Sequence, residues 1–170
     1  VYIKMAARIY GCEEEDVTKD QRFVGKTTIL GAGYGMGAEK FGTQLKTFGY
    51  EVSPDEARRI IKIYRDANYK ISKVWRDAHY MVQQLTNGRS AMFGRKGVVK
   101  VSGDSSSLVM PNGLSIIYDN LNSEQGEKGL EYSYKTRRGR TRIYGGKVIE
   151  NVCQALARCI IGEQMLRICL

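Results

Sequence analysis

The stretch RFVGKTTILGAGYGMG, residues 22–37, holds the densest pattern in the sequence and decides how the first half of the chain folds. It follows Thr18 and Gln21, whose three-residue spacing is that of a capping box and predicts that a helix begins there. The helix is predicted to run from about Lys19 to Ala32, because the alternating glycines beyond it are helix breakers. Three interpretations arise: a phosphate loop, a dinucleotide-binding turn, or a basic helix face.

The two glycine motifs are disfavoured by their context. A phosphate loop needs Gly-x4-Gly-Lys-Ser/Thr after a buried strand, but Asp20 occupies the first glycine position and a polar, acidic segment precedes it. Gly33, Gly35 and Ala38 satisfy a relaxed dinucleotide fingerprint. That fingerprint must follow a strand, whereas the segments on both sides of it are predicted to be helical.

The basic helix face rests on spacing, because Arg22, Lys26, Leu30 and Tyr34 recur every fourth residue. Each step moves about 40° around a helix, so the four side chains form one slowly turning stripe. Two cations followed by an apolar and an aromatic side chain suit a triphosphate and then a base. The alternative is a solvated Arg/Lys pair beside a core Leu and Tyr, and spacing alone leaves both open.

The rest of the sequence predicts an α+β fold. Residues 1–90 are predicted to be helical. From Ser53-Pro54 to Asn87-Gly88 the sequence predicts two helices, with a break near Asp66 to Tyr69. Residues 91–145 contain short β-type runs separated by Gly, Asn and Ser turns, and residues 146–170 read as a final helix. Trp75 and most tyrosines are assigned to the core.

Composition favours a polyanionic partner. The chain has 27 Lys and Arg against 18 Asp and Glu, a formal net charge of +9, which suits nucleic acid or an acidic membrane surface. No stretch approaches the roughly 18 uninterrupted apolar residues of a membrane span, and no signal peptide is recognised, so we expect a cytoplasmic protein. The four cysteines lack metal-ligand spacing and His79 is the only histidine, so reduced thiols are expected and a zinc site is not.

The stripe also carries a family resemblance. Arg22-x3-Lys26-x3-Leu30-Gly31-x2-Tyr34-Gly35 resembles motif B of family A DNA polymerases, the polymerase I family, which lies on the fingers helix that closes over the incoming nucleotide. YIKMAARIYGCEEEDVTKDQRFVGK upstream is similar to the phage-type branch, and SPDEARRIIKIYRDANYKISKVW resembles the helices after motif B. GGKVIENVCQALARCIIGEQML resembles the palm segment before the last catalytic motif. The resemblance covers nearly the whole chain and implies helical fingers of a right-hand polymerase, a small β-rich segment and a C-terminal palm helix.

The resemblance implies a dNTP-binding role for the first three residues of the stripe. Arg22 and Lys26 would hold the outer and inner phosphates of the incoming triphosphate, where positioned cations stabilise the charge that develops in phosphoryl transfer. Leu30 stands where the family usually has Phe or Tyr beside the sugar of the nucleotide. Without that ring, we expect discrimination at the 3′ position to differ from that of better-known members.

The resemblance assigns template and primer contacts to three further residues. Tyr34 would lie near the templating base, and Gly35 would permit close approach of the backbone. Gln154 would reach into the minor groove of the duplex, where acceptors common to all base pairs allow sequence-independent checking. Glu150 replaces the Asn that often stands four positions before this Gln, so that role is not transferred, and Cys159 replaces a frequent Asp.

The run YKTRRGRTR, residues 134–142, is predicted to form a basic hairpin. Its arginines are candidates for contacts with DNA phosphates, and a solvated basic turn explains the run equally well. The four residues are Arg137, Arg138, Arg140 and Arg142.

The resemblance also implies chemistry that these residues do not supply. The family uses two Mg²⁺ ions held by aspartates, in motifs that in relatives lie before the first residue here and after the last. We therefore expect no metal site in this chain, which would be part of a longer polymerase acting on primer–template DNA and dNTPs in a bacterial or phage-infected cell. The segment alone is expected to be inactive. The alternative is a non-catalytic, basic nucleic-acid-binding module derived from polymerase fingers.

Overall fold

The chain, described by a computed structural model over residues 1–126 and 129–169, combines helices with two antiparallel sheets, which confirms the α+β class. It divides into two compact units, Val1–Lys73 and Val74–Leu170. The sequence-based segment boundaries near residues 90 and 145 follow changes in composition and stay predictions. No helix in the described ranges is long and apolar enough to cross a lipid bilayer.

The first unit is helical, and its helix boundaries agree closely with those predicted. α2 ends before the glycine-rich turn, α4 and α5 are separated at Asn68, and α5 ends just before Asn87. For α3 the sequence predicts only that the segment after the glycine-rich turn is helical, without giving its ends. The elements are α1 (Tyr2–Tyr10), a 3-10 turn (Glu14–Asp16), α2 (Lys19–Ala32), α3 (Ala38–Thr47), α4 (Pro54–Ala67) and α5 (Tyr69–Thr86), which continues into the second unit.

Side-chain caps explain where α2 and α4 begin. The backbone N–H of Gln21 donates to Thr18 Oγ1 (3.2 Å), and that of Thr18 donates to Gln21 Oε1 (2.9 Å), so the predicted capping box is confirmed. Ser53 Oγ accepts from the backbone N–H of Glu56 (3.1 Å) ahead of Pro54 at the first helical position. Each cap is worth about 1 kcal/mol of helix stability.

Periodic apolar residues form the core of the first unit. On α4, Ala57, Ile60, Ile61 and Tyr64 repeat at helical spacing and are all buried. They are joined by buried residues of the other three helices, so the stripes of four short helices share one core. Those residues are Met5, Ala6 and Ile9 of α1, Val24 and Ala32 of α2, and Phe41 and Leu45 of α3.

Gly25 allows α1 and α2 to approach closely. A Cβ atom at this position would lie 2.5 Å from the carbonyl oxygen of Tyr2 and 2.9 Å from the backbone N of Ala6. Any side chain there would therefore force the two helices apart. The glycine of the Gly-Lys-Thr triplet thus lies in the middle of α2 and allows the two helices to pack. In the described part of the chain the first strand begins only at Ala91, so no strand comes before this glycine. This agrees with rejecting both glycine-motif interpretations.

Along the chain of the second unit, two small sheets follow the end of α5 and precede the long helix α6. The first sheet has the order β1-β2-β3-β4 and the second β5-β6-β7, with every pair antiparallel. The elements are β1 (Ala91–Phe93), β2 (Val99–Ser102), β3 (Ser107–Val109), β4 (Ser115–Ile117), β5 (Asn122–Gly126), β6 (Gly129–Thr136), β7 (Gly139–Ile143) and α6 (Gly145–Cys169), with a 3-10 turn at Arg95–Gly97.

One core joins these elements. Val99 and Val101 of β2 point inward while Lys100 between them is exposed, as the two-residue period of a strand requires. α6 contributes Val148 and Val152, but its later residues are largely exposed. The other buried members are Ala78, Met81, Val82, Leu85, Leu108, Met110, Tyr118, Tyr132 and Ile143.

The assignment of most tyrosines to the core is wrong. Only Tyr64, Tyr118 and Tyr132 are buried among the eleven tyrosines, and Trp75 is partly exposed. The phenolic oxygen is a polar group, so a tyrosine on an amphipathic helix can sit at the edge of a core with its hydroxyl in water.

Candidate functional site

The stripe predicted from spacing lies on the surface of α2 and of the turn that follows it. Arg22, Lys26 and Leu30 occupy three successive turns of the helix. Tyr34 comes two residues after the helix ends, where the backbone N–H of Gly35 donates to the carbonyl of Ala32 (3.0 Å). Gly35 has φ +81°, a left-handed conformation that favours glycine, so the turn after the stripe depends on this residue.

All four stripe side chains are exposed. Leu30 exposes 52% of its surface and Tyr34 exposes 46%. The opposite side of α2 supplies the buried residues, among them Val24 and Thr28, whose hydroxyl donates to the carbonyl of Val24 (2.8 Å). The interpretation of Leu30 and Tyr34 as ordinary core residues is therefore wrong, and the stripe is available to a ligand.

The two cations of the stripe have no carboxylate partner in the described part of the chain. The guanidinium of Arg22 lies 5.9 Å from the ring centre of Tyr2, a cation–π contact that leaves its donors available. Asp20, the nearest acid along the helix, accepts a hydrogen bond from the hydroxyl of Tyr50 (2.8 Å), and this bond raises the pKa of Tyr50. Arg22 and Lys26 thus remain able to bind an anion.

The predicted basic hairpin is formed by β6 and β7, and its four arginines fall into two groups. Arg137 and Arg138 lie at the exposed turn, where the hydroxyl of Thr136 donates to the carbonyl of Gly139 (2.7 Å). Neither has a carboxylate partner among the described residues. These two side chains are the ones best placed to meet a phosphate.

The other two arginines of the hairpin are held by the protein. The guanidinium of Arg140 donates to Ser133 Oγ (3.0 Å), to the carbonyl of Ser133 (2.9 Å) and to the carbonyl of Asn120 (3.1 Å). Arg142 pairs with Glu131 at 2.6 Å. Sequence could not separate the two groups, because the partners lie on other strands or in the turn before β5.

Gln154 is exposed on α6, and its Nε2 donates a long hydrogen bond to Glu150 Oε1 (3.4 Å). One turn earlier, the side-chain amide of Asn151 donates to the hydroxyl of Tyr118 (3.3 Å). Burial raises the pKa of Tyr118 to about 12, while the hydrogen bond from Asn151 acts in the opposite direction. The Tyr118–Asn151 bond, which sequence reasoning missed, therefore joins α6 to Tyr118 close to Gln154.

Arg158, which the sequence reasoning did not single out, stands at helical spacing from Gln154. It lies four residues later on α6 and is exposed, so it is the neighbour of Gln154 on the helix surface.

The described residues contain no group of three or more His, Cys, Asp or Glu side chains arranged to hold a metal ion. The four cysteines are free thiols. The stripe belongs to the first unit, whereas the hairpin and Gln154 belong to the second.

Comparison with known proteins shows similarity between this chain and a phage DNA polymerase. No family model matches this chain. It is similar to a protein named DNA polymerase from Bacillus phage SP02, with 27% identity over an alignment of 178 residues that includes 99% of this chain. The chain spans 27% of the length of that relative.

Proposed function

We propose that this chain is the nucleotide-binding fingers and adjoining palm portion of a family A DNA polymerase, and that residues 22–35 form its motif B. The observation that carries the proposal is the exposed stripe on α2, with two cations that have no carboxylate partner among the described residues, followed by an exposed Leu and Tyr. The similarity to a phage DNA polymerase over almost the whole chain supports the same activity.

The stripe suits the parts of a deoxynucleoside triphosphate in order. Arg22 and Lys26 would bind the phosphates, and their charge would stabilise the pyrophosphate as it leaves. Leu30 would contact the sugar through its exposed apolar surface. Tyr34 would lie against the templating base, and Gly35 would keep the following backbone close to it.

Gln154 would contact the primer–template in the minor groove, and Arg137 and Arg138 would contact phosphates. An amide side chain can both donate and accept, so it can address acceptors that every base pair presents in the minor groove. Cations at a hairpin tip add sequence-independent affinity that falls as salt rises. Together these contacts would hold a duplex without reading its sequence.

The two Mg²⁺ ions that the family implies do not fit the described residues, since these offer no cluster of metal-binding side chains. In the proposed polymerase, other residues would hold the metals. The residues of this chain would bind and orient the nucleotide and the duplex.

Nucleotide binding by the 170-residue chain tests the proposal. We expect a fluorescent dATP analogue to bind the chain, and Lys26→Ala to weaken binding about tenfold through loss of one charge-assisted contact, worth about 1.4 kcal/mol. Lys62→Ala is the matched control, because Lys62 is an exposed lysine of α4 outside the stripe.

Equal loss of affinity in the two variants would refute a specific role for Lys26. Duplex binding without any nucleotide binding would favour the alternative, a nucleic-acid-binding module.

A further inference from the structure

We propose that Arg158 binds a backbone phosphate of the duplex whose minor groove Gln154 reads, so that both residues hold DNA at one groove of the second unit. The inference rests on the proposed function and adds a phosphate contact to it.

The groove runs between α6 and the turn that joins β3 to β4, and its volume is about 450 Å³. Gln154 and Arg158 line it from α6, and Asn112 and Ser115 line it from the turn and the start of β4. All four side chains are polar and exposed. The groove thus offers polar groups on both walls, beside the apolar side chains of Met110, Leu114 and Ile116.

Two small residues lie on the α6 wall. Ala155 and Gly162 line the same groove, and a Cβ atom added at Gly162 would meet no other atom within 4 Å. The α6 wall is therefore unobstructed at Gly162, one turn beyond Arg158.

The spacing of the two residues fits the geometry of a minor groove. Four residues of α-helix rise about 6 Å, so Arg158 lies one turn along the same face from Gln154. The minor groove of B-DNA is about 6 Å wide. A side chain that reads base edges from one helical turn places the next turn at the phosphates that flank the groove.

The charge of Arg158 is uncompensated. In residues 1–126 and 129–169 it has no ion-pair partner, because the acids of this helix are paired with other cations. Glu150 pairs with Lys147 (2.7 Å) and Glu163 with Arg167 (2.6 Å). A guanidinium without a carboxylate presents its fork of donors to phosphate oxygens.

The test measures binding of a fluorescein-labelled primer–template duplex to the 170-residue chain by anisotropy across a range of KCl concentrations. Arg158→Ala is expected to weaken binding about tenfold at low salt. It should also make the slope of log K against log salt shallower by about 0.9, the contribution of one phosphate. Arg158→Lys should retain the slope, because a lysine still neutralises the phosphate as a point charge.

Arg167→Ala is the matched control, since it removes the same charge from α6. It lies nine residues from Arg158, about 180° around the helix, and pairs with Glu163. We expect its salt slope to equal that of the unmodified chain.

Equal effects of Arg158→Ala and Arg167→Ala would overturn the inference. If Gln154→Ala still weakened duplex binding in that case, the proposed function would stand. Failure of the unmodified chain to bind duplex would contradict both the inference and the proposed primer–template contacts.

Discussion

Gly25 lies where α1 and α2 cross, and its lack of a side chain sets the distance between these helices. In the sequence it belongs to a Gly-Lys-Thr triplet that resembles the end of a phosphate loop. In the structure its α-carbon faces the backbone of Tyr2 and Ala6. The close packing of the two helices therefore explains the glycine. The neighbouring Lys26 is exposed and is the residue proposed to contact the ligand.

Gly25→Ala should destabilise the first unit by about 1–3 kcal/mol, because the added methyl group overlaps the backbone of α1. Urea unfolding followed by circular dichroism measures this change. Gly42→Ala is the matched control in the same unit, since its Cβ would meet only ordinary contacts at 3.7 and 3.9 Å. We expect that control to be neutral or slightly stabilising, because alanine favours a helix. Equal stability of the Gly25→Ala variant and the parent would show that α1 can shift without cost.

Tyr118 gives the second unit a stability that depends on pH. Its folded-state pKa of about 12 lies above the ordinary value of 10.0, because the phenolate would be buried. The unfolded chain loses this proton first as pH rises, so the contribution is fully present below pH 10 and is lost between pH 10 and about 12. The loss amounts to about 2–3 kcal/mol at most.

Urea midpoints measured at neutral pH and above pH 10 test this dependence. Tyr118→Phe should abolish the part of the alkaline loss that belongs to Tyr118. Tyr80→Phe, at an exposed position on α5, should leave the loss unchanged. Tyr118 is not the cause of the alkaline loss if the urea midpoints of both variants fall with pH in the same way as those of the parent.

At the scale of elements, the β6–β7 hairpin separates arginines that meet solvent from arginines that hold the protein together. Arg137→Ala and Arg138→Ala should each reduce the salt slope of duplex binding by about 0.9 without changing stability. Arg140→Ala should instead destabilise the hairpin, because three hydrogen bonds are lost. Anisotropy titrations and thermal unfolding of the three variants measure the two effects. A salt slope that changes with Arg140→Ala but with neither turn variant would reverse the assignment.

Elements with strong local signals were predictable from the sequence. The capping box of Thr18 and Gln21 set the start of α2, and the Ser53-Pro54 pair set the start of α4. The sequence predicts β6 and β7, because short β-type runs stand on both sides of a basic turn. In each case the deciding contacts join residues close in sequence.

Elements whose own residues carry a weak signal were not predictable. β5 (Asn122–Gly126) is mostly polar, and it is a strand because it pairs with the first residues of β6. β1 and β3 have only three residues each and gain their hydrogen bonds from β2. α3 contains Gly42 and follows a glycine-rich turn, so its local propensity is weak, and burial of Phe41 and Leu45 stabilises it.

The same distinction holds for the candidate site. The spacing of Arg22, Lys26, Leu30 and Tyr34 predicted one helix face, and their exposure came only with the packing of α2. Two contacts that the sequence did not reveal join residues far apart in the chain. They are the hydrogen bond from Arg140 to Asn120 and the bond between Tyr118 and Asn151.

At the scale of the whole molecule, we expect the 170-residue chain to bind nucleotide and duplex without extending a primer. Its described residues hold no metal-binding cluster, and nucleotidyl transfer in the proposed family needs two metal ions. The measurement is primer extension on a gel with dNTPs and Mg²⁺, beside an intact polymerase as positive control. Extension by the purified chain that disappears in Lys26→Ala would show that it carries its own catalytic centre.

The constant rise per residue of α2 fixes the distances between the side chains of its exposed stripe. Arg22 and Leu30 are eight residues apart, so their α-carbons are separated by about 12 Å along the axis. A ligand that touches both must span a comparable length, as a triphosphate with its sugar does. A nucleoside diphosphate that keeps its sugar against Leu30 would lack the outer phosphate proposed to meet Arg22, so the length of one helix would distinguish a triphosphate from a diphosphate.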